Sequence, residues 1–123
     1  MKKSNILIVE DEKNLLDALK VMLEKEGYKI TIAKDGKEGL ESITEDIDLV
    51  ILDIIMPRMD GIKMLEKLRN GDKNKDVPVL ILSNWMEKEA KQKAEELGTI
   101  SYLIKSDWDI MDVVEKVNEI LGK

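Results

Sequence analysis

Four short runs of the chain are apolar at every position: residues 6–9 (Ile-Leu-Ile-Val), 49–52 (Leu-Val-Ile-Leu), 79–82 (Val-Leu-Ile-Leu) and 102–104 (Tyr-Leu-Ile). Runs of that length without alternation predict strands buried on both faces. Residues 29–33 (Lys-Ile-Thr-Ile-Ala) instead alternate polar with apolar, which predicts an edge strand. Helical spacing fills the intervals. Leu15, Leu19, Met22 and Leu23 mark a first helix that Gly27 is placed to end, and Gly39, Leu40 and Ile43 a short second one. Ile62, Leu65 and Leu68 mark a third, followed by a polar loop over 70–76. Ala90, Ala94 and Leu97 give a fourth with a thin apolar stripe, ended by Gly98. Ile110, Val113, Val114, Val117, Ile120 and Leu121 give the fifth, the most strongly patterned. Pro78 falls at the first position of a strand, where a missing N–H is tolerated.

Five strand-helix units in succession predict an α/β domain, a doubly wound parallel sheet covered on both sides. With the alternating second strand at the edge, the strand order is 2-1-3-4-5, the flavodoxin-like (βα)5 arrangement. Residues 1–123 read as one domain, with no linker, internal repeat or low-complexity segment.

Composition narrows the function classes. Hydrophobic residues make up 43% and charged ones 37%, as in a globular chain, while aromatics are only 3% with no Phe. The core must therefore be aliphatic. A net charge of −6, with Lys and Glu interspersed along the helices, argues against direct nucleic-acid binding. The absence of Cys and His excludes disulfides, thiolate and His-ligated metal sites, a Ser-His triad and a phosphohistidine carrier role. Lys2-Lys3 before residues 6–9 resembles a signal peptide only faintly, because the apolar stretch is short and Glu10-Asp11-Glu12 closes it. No segment is long and apolar enough to span a bilayer, and the expected location is cytoplasmic.

The chemistry lies where the apolar runs stop. They end at Glu10-Asp11, Asp53, Ser83 and Lys105, and in a parallel sheet all these endings share one edge. Ligands on this strand order bind where strands 1 and 3 diverge, which is where Glu10, Asp11 and Asp53 fall. Three carboxylates at close range repel one another, and a hard cation such as Mg²⁺ relieves that repulsion. Any one of these acids could simply cap a helix or face water. Three at adjacent strand ends, opposite Ser83 and Lys105, point instead to a site. Asp53 is the candidate nucleophile toward a phosphoryl group, with Lys105 neutralising charge and Ser83 donating a hydrogen bond. Ser83 could also form a cap or turn before the fourth helix, and the two roles are compatible. Asp60-Gly61 reads as a tight turn and Pro57 as a stiffener of the loop after Asp53. Met22, Met64 and Met111 read as core or near-core filler, and Tyr102 has a buried or half-buried structural role as its alternative.

In that order these residues resemble the receiver domain of two-component response regulators, over essentially the full chain. The segment Leu52-Asp53-Ile54-Ile55-Met56-Pro57-Arg58-Met59-Asp60-Gly61 is close to the family's phosphoacceptor motif. Glu10-Asp11-Glu12, Leu82-Ser83 and Tyr102-Leu103-Ile104-Lys105 match the other motifs. The resemblance implies that Asp53 takes a phosphoryl group from a sensor histidine kinase or phosphotransfer protein. It implies a Mg²⁺ ion held by Glu10, Asp11, Asp53 and the main-chain carbonyl of Ile55. It also implies that Lys105 pairs with the phosphoryl oxygens, that Ser83 moves toward them, and that Tyr102 swings inward. The surface of helix 4, strand 5 and helix 5 would then change for a downstream partner. Such a domain catalyses only its own phosphorylation and dephosphorylation.

Four departures accompany the match. Asn84 and Trp85 stand where a small residue usually follows the Ser/Thr, and both bear on access to the phosphoryl group. Ser106 stands where a cis proline commonly follows the lysine, although a cis bond before another residue costs about 3 kcal/mol. Residues 98–101 (Gly-Thr-Ile-Ser) lack the acidic pair of many DNA-binding regulators. The chain stops after the fifth helix, which leaves either a single-domain regulator or a piece of a longer protein with its output domain absent. Other readings compete. A Mg²⁺-dependent aspartyl phosphohydrolase would want an acid at position 55, where Ile stands. A flavin carrier would have its phosphate repelled by Glu10-Asp11-Glu12. A phosphorylation-independent interaction module would keep the fold without using the acid set.

Overall fold

In a computed structural model, which describes residues 3–56, 59–84 and 87–123, the chain alternates strand and helix. The strands are β1 (Asn5–Val9), β2 (Lys29–Ala33), β3 (Leu49–Leu52), β4 (Val79–Ser83) and β5 (Ser101–Ile104). The helices are α1 (Lys13–Lys25), α2 (Gly36–Glu41), α3 (Gly61–Arg69), α4 (Lys88–Glu96) and α5 (Ile110–Ile120). All pairings are parallel and the order is β2-β1-β3-β4-β5, as the alternation of residues 29–33 predicted.

Because successive side chains of a strand point to opposite faces, each apolar run feeds two cores. Leu7, Val9, Val50, Leu52, Val79 and Ile81 pack with Met64, Leu65 and Leu68 of α3 and Ala94 of α4. Ile6, Ile8, Leu49, Ile51, Leu80 and Leu82 face Leu16, Leu19 and Leu23 of α1 and Val113, Val114 and Val117 of α5. The helices therefore lie on both faces. The edge strand β2 is less covered, and Ile32 stays 38% exposed.

The stops at Gly27 and Gly98 hold, with φ of 98° and 79°, backbone that residues other than glycine adopt reluctantly. Two expectations change. Met111 is 50% exposed and is neither core nor near-core filler. At 100° per residue it lies roughly 115° from the centre of the buried stripe of α5, on the solvent side. Asp60-Gly61 is not a tight turn: Asp60 is the N-cap of α3, its carboxylate accepting the Lys63 N–H at 2.8 Å. Elsewhere Arg69, at the end of α3, donates to the carbonyls of Leu97 (2.7 Å), Lys75 (2.6 Å), Val77 (2.8 Å) and Gly98 (3.4 Å). It thereby ties the C-terminal end of α4 and the segment entering β4 to α3.

Candidate functional site

The parallel register decides what meets at the sheet edge. Val9 pairs with Leu52, and Ser83 pairs with Ile104. The main chain continues the ladder one step further: Glu10 N–H donates to the Ala33 carbonyl and Asp53 N–H to the Val9 carbonyl, both at 3.0 Å. These bonds hold Glu10 and Asp53 side by side although both are acids, only 2% and 5% exposed.

Lys105 makes that burial tolerable. Its Nζ lies 2.8 Å from Glu10 Oε1 and 3.1 Å from Asp53 Oδ2, with Glu12 Oε2 at 3.8 Å. Removing charges from water is costly unless they are paired and hydrogen-bonded, and here both carboxylates are. Glu10 Oε2 also accepts the Glu12 N–H at 3.0 Å, and Asp53 Oδ1 the Ile55 N–H at 3.3 Å. Burial still dominates at Glu10. It pushes the carboxyl up to about 7, with the Asp53 charge acting in the same direction and the Lys105 hydrogen bond opposing. Burial alone would lower the Lys105 ammonium, but the hydrogen bonds and charges of Glu10 and Asp53 outweigh it and the net shift is upward.

One carboxylate oxygen each from Glu10, Asp11 and Asp53 lie within 4.8 Å of one another. Asp11 is exposed, so this oxygen cluster is open to water on one side. Oxygen donors that keep access to water suit a hard divalent cation, and the residues fit Mg²⁺. Ile55, whose carbonyl is the fourth expected ligand, is 54% exposed on the loop following Asp53.

Three of the remaining expected site residues lie on β4, on β5 and just after β4. Ser83 ends β4 fully buried. Tyr102, half-buried on β5, packs on the α3–α4 side, where burial and then the Asp53 charge raise its phenol. Asn84 is exposed, and its Oδ1 accepts the Ser106 N–H at 2.9 Å. Pro57 and Trp85, expected to flank the site, lie outside the described residues. No peptide bond among the described residues is cis, so Lys105–Ser106 is trans, as the cost for a non-proline dictates. It opens a single 3₁₀ turn, Lys105–Asp107, that the sequence pattern did not announce.

Sequence reasoning missed two features. Glu10, not only Asp53, is a direct partner of Lys105. Gly61 packs against the phosphoacceptor candidate: a Cβ there would fall 2.3 Å from the Asp53 carbonyl oxygen. The signal available was the glycine itself, eight residues after an acid that ends a strand.

Comparison with known proteins places this geometry. A family model described as the response regulator receiver domain matches residues 6–118. Response regulator SaeR of Staphylococcus epidermidis is 33% identical over 120 residues, 98% of this chain but 51% of that protein. The chain thus spans about half the length of the curated relatives it matches. Among solved structures, the receiver domain of a Francisella response regulator is 33% identical with a TM-score of 0.85, covering 98% of each chain. A CheY-like receiver domain from Methanospirillum hungatei is 30% identical with a TM-score of 0.89, covering 98% of this chain and 95% of that one.

Proposed function

Because this chain belongs to the response regulator receiver domain family of two-component signalling, we propose that Asp53 is its phosphoacceptor and that phosphorylation there switches a partner-binding surface. The observation that carries the reading is Lys105: its ammonium bridges Asp53 and Glu10 at 3.1 and 2.8 Å inside a cluster of three acids. An ammonium so placed orients the Asp53 carboxylate and faces the space where phosphoryl oxygens would develop charge.

An Asp53 oxygen attacks the phosphorus of the donor as the bond to the leaving group breaks, and that group departs with the electron pair. The product is an acyl phosphate on Asp53. Lys105 then exchanges part of its pairing with Asp53 for the phosphoryl oxygens, while Ser83 supplies a hydroxyl from the end of β4. Glu10, Asp11, Asp53 and the Ile55 carbonyl would hold Mg²⁺, which when bound supplies positive charge beside the transferring group. The residue two positions after Asp53 is Ile55, which transfers no proton, so the chain catalyses only its own phosphorylation and dephosphorylation and not sustained hydrolysis.

The new charge biases a two-state element, in which Tyr102 turns inward and the α4-β5-α5 surface changes. The donor is a sensor histidine kinase or phosphotransfer protein. The receiver of the signal is a downstream protein or an output domain joined to this one, not nucleic acid directly. Residues 1–123 act as one receiver domain, in the cytoplasm. No helix among the described residues is long and apolar enough to cross a membrane.

Intact mass measurement after incubation with acetyl phosphate and Mg²⁺ tests the proposal, with Asp53→Asn as control. One added phosphoryl group that requires both Mg²⁺ and Asp53 is the expected result. No adduct, and no binding of beryllofluoride, would leave a phosphorylation-independent interaction module.

A further inference from the structure

The backbone pairing of β4 with β5 ends at Ser83 and Ile104. Both strands leave the sheet at groups the proposed chemistry uses, Ser83 itself and Lys105. One residue past Ser83 and two past Ile104, the two loops are joined again by the bond from the Ser106 N–H to Asn84 Oδ1, at 2.9 Å. A side chain there extends the ladder by one rung after the strands have ended.

We propose that Asn84 is a positioning residue for phosphoryl transfer, acting through Ser106 to hold the Lys105 turn at a fixed spacing from the Ser83 strand end. The inference rests on the roles given above to Asp53, Lys105 and Ser83. Three observations carry it. Ser106 lies within the 3₁₀ turn Lys105–Asp107, and the first N–H groups of a helical turn have no acceptor of their own. Asn84 supplies that acceptor. The Lys105 ammonium is fixed at one end by two carboxylates, its side chain only 14% exposed, so the position of its main chain sets the reach left to the stem. Finally, Asn84 and Ser106 are two of the positions where this chain departs from the receiver pattern, and they form the two ends of one bond. Proline at 106 would have no N–H to donate, and a small apolar residue at 84 no oxygen to receive it.

The test is the rate of acyl-phosphate formation from acetyl phosphate and Mg²⁺, measured with Mg²⁺ affinity and amide exchange at Ser106. Asn84→Ala is expected to slow phosphorylation roughly fivefold, the equivalent of about 1 kcal/mol for one hydrogen bond at an exposed position. It should also speed exchange at Ser106 and leave Mg²⁺ affinity unchanged, since Glu10, Asp11 and Asp53 are untouched. Asn84→Asp keeps an acceptor oxygen and should restore Ser106 protection and most of the rate. In a Ser106→Pro background, where the bond is already gone, Asn84→Ala should add nothing. A wild-type rate in Asn84→Ala despite faster exchange at Ser106 overturns the inference while leaving Asp53 as phosphoacceptor. An equal slowing in both backgrounds overturns it too. If the unaltered chain gains no phosphoryl group, the reading of Asp53 fails and the inference falls with it.

Discussion

Adding one methyl group, Gly61→Ala, should both destabilise the domain and disable Asp53. Among the described glycines only Gly27, Gly98 and Gly122 have positive φ, so the demand at position 61 is for space and not for backbone freedom. The added Cβ would lie 2.3 Å from the Asp53 carbonyl oxygen, 2.8 Å from Ile54 Cα and 3.0 Å from the Asp53 carbonyl carbon. Reaching an ordinary contact of 3.4 Å requires a backbone shift of about 1 Å. Helix α3 cannot retreat freely, because the Gly61 N–H donates to the Ile54 carbonyl at 2.8 Å and Met64, Leu65 and Leu68 are locked in the core. Overpacking of this kind costs about 1–3 kcal/mol, and straining that hydrogen bond adds about 1 kcal/mol. For a domain of this length a total of about 2–4 kcal/mol lowers Tm by roughly 8–16 °C. If the strain is relieved toward Asp53, the proposed nucleophile moves by a comparable distance, and a misplacement of about 1 Å costs on the order of 100-fold in rate. Calorimetry and the acetyl phosphate reaction read the two effects separately. Gly71→Ala is the control, since its nearest atom lies 3.1 Å away at an exposed turn. A Gly61→Ala protein that melts within about 2 °C of the parent and is phosphorylated at the parent rate would refute the steric argument.

Two further outcomes follow from the electrostatics and the hydrogen bonds. In the absence of metal Glu10 titrates near 7, above its ordinary 4.5, so between those values the folded state binds more protons than the unfolded chain. Its contribution to stability is therefore full below pH 4.5 and is lost as pH rises through 7. In the proposed site Mg²⁺ needs the ionised carboxylate, and its affinity should weaken by up to about tenfold per pH unit below pH 7. Calorimetric titration of Mg²⁺ on either side of neutrality checks this, and a pH-independent affinity would contradict the burial argument. Arg69→Lys should cost on the order of 2 kcal/mol in urea unfolding, because an ammonium with three donors cannot serve four carbonyls as a guanidinium fork does. Equal midpoints for the parent and Arg69→Lys would show that the carbonyl contacts contribute little.

Much of the architecture could be read from periodicity alone. Residues 6–9 and 49–52 are apolar throughout because their strands carry side chains into two cores, and residues 29–33 alternate because β2 has one neighbour and a half-covered face. The gathering of Glu10, Asp11 and Asp53 was legible for the same reason. Parallel strands all end on one side, so a polar residue that closes an apolar run must reach that edge. Where periodicity is locally ambiguous the reading slipped. Met111 belongs to an apolar helix yet faces water, and Asp60-Gly61 has the composition of a turn yet starts α3.

Burial follows an order written along the chain, and residue types therefore determine the five units, their layering and the edge on which charge collects. Contacts across the sheet edge follow no such order. Lys105 pairs with Glu10 across 95 positions of sequence as well as with Asp53. Ser106 finds its acceptor on Asn84, and the Asp53 carbonyl leaves no room for a side chain at 61. Each depends on distances of a few ångströms set jointly by the register, the helix packing and the loop paths. Those distances exist only once the two cores have closed around the sheet.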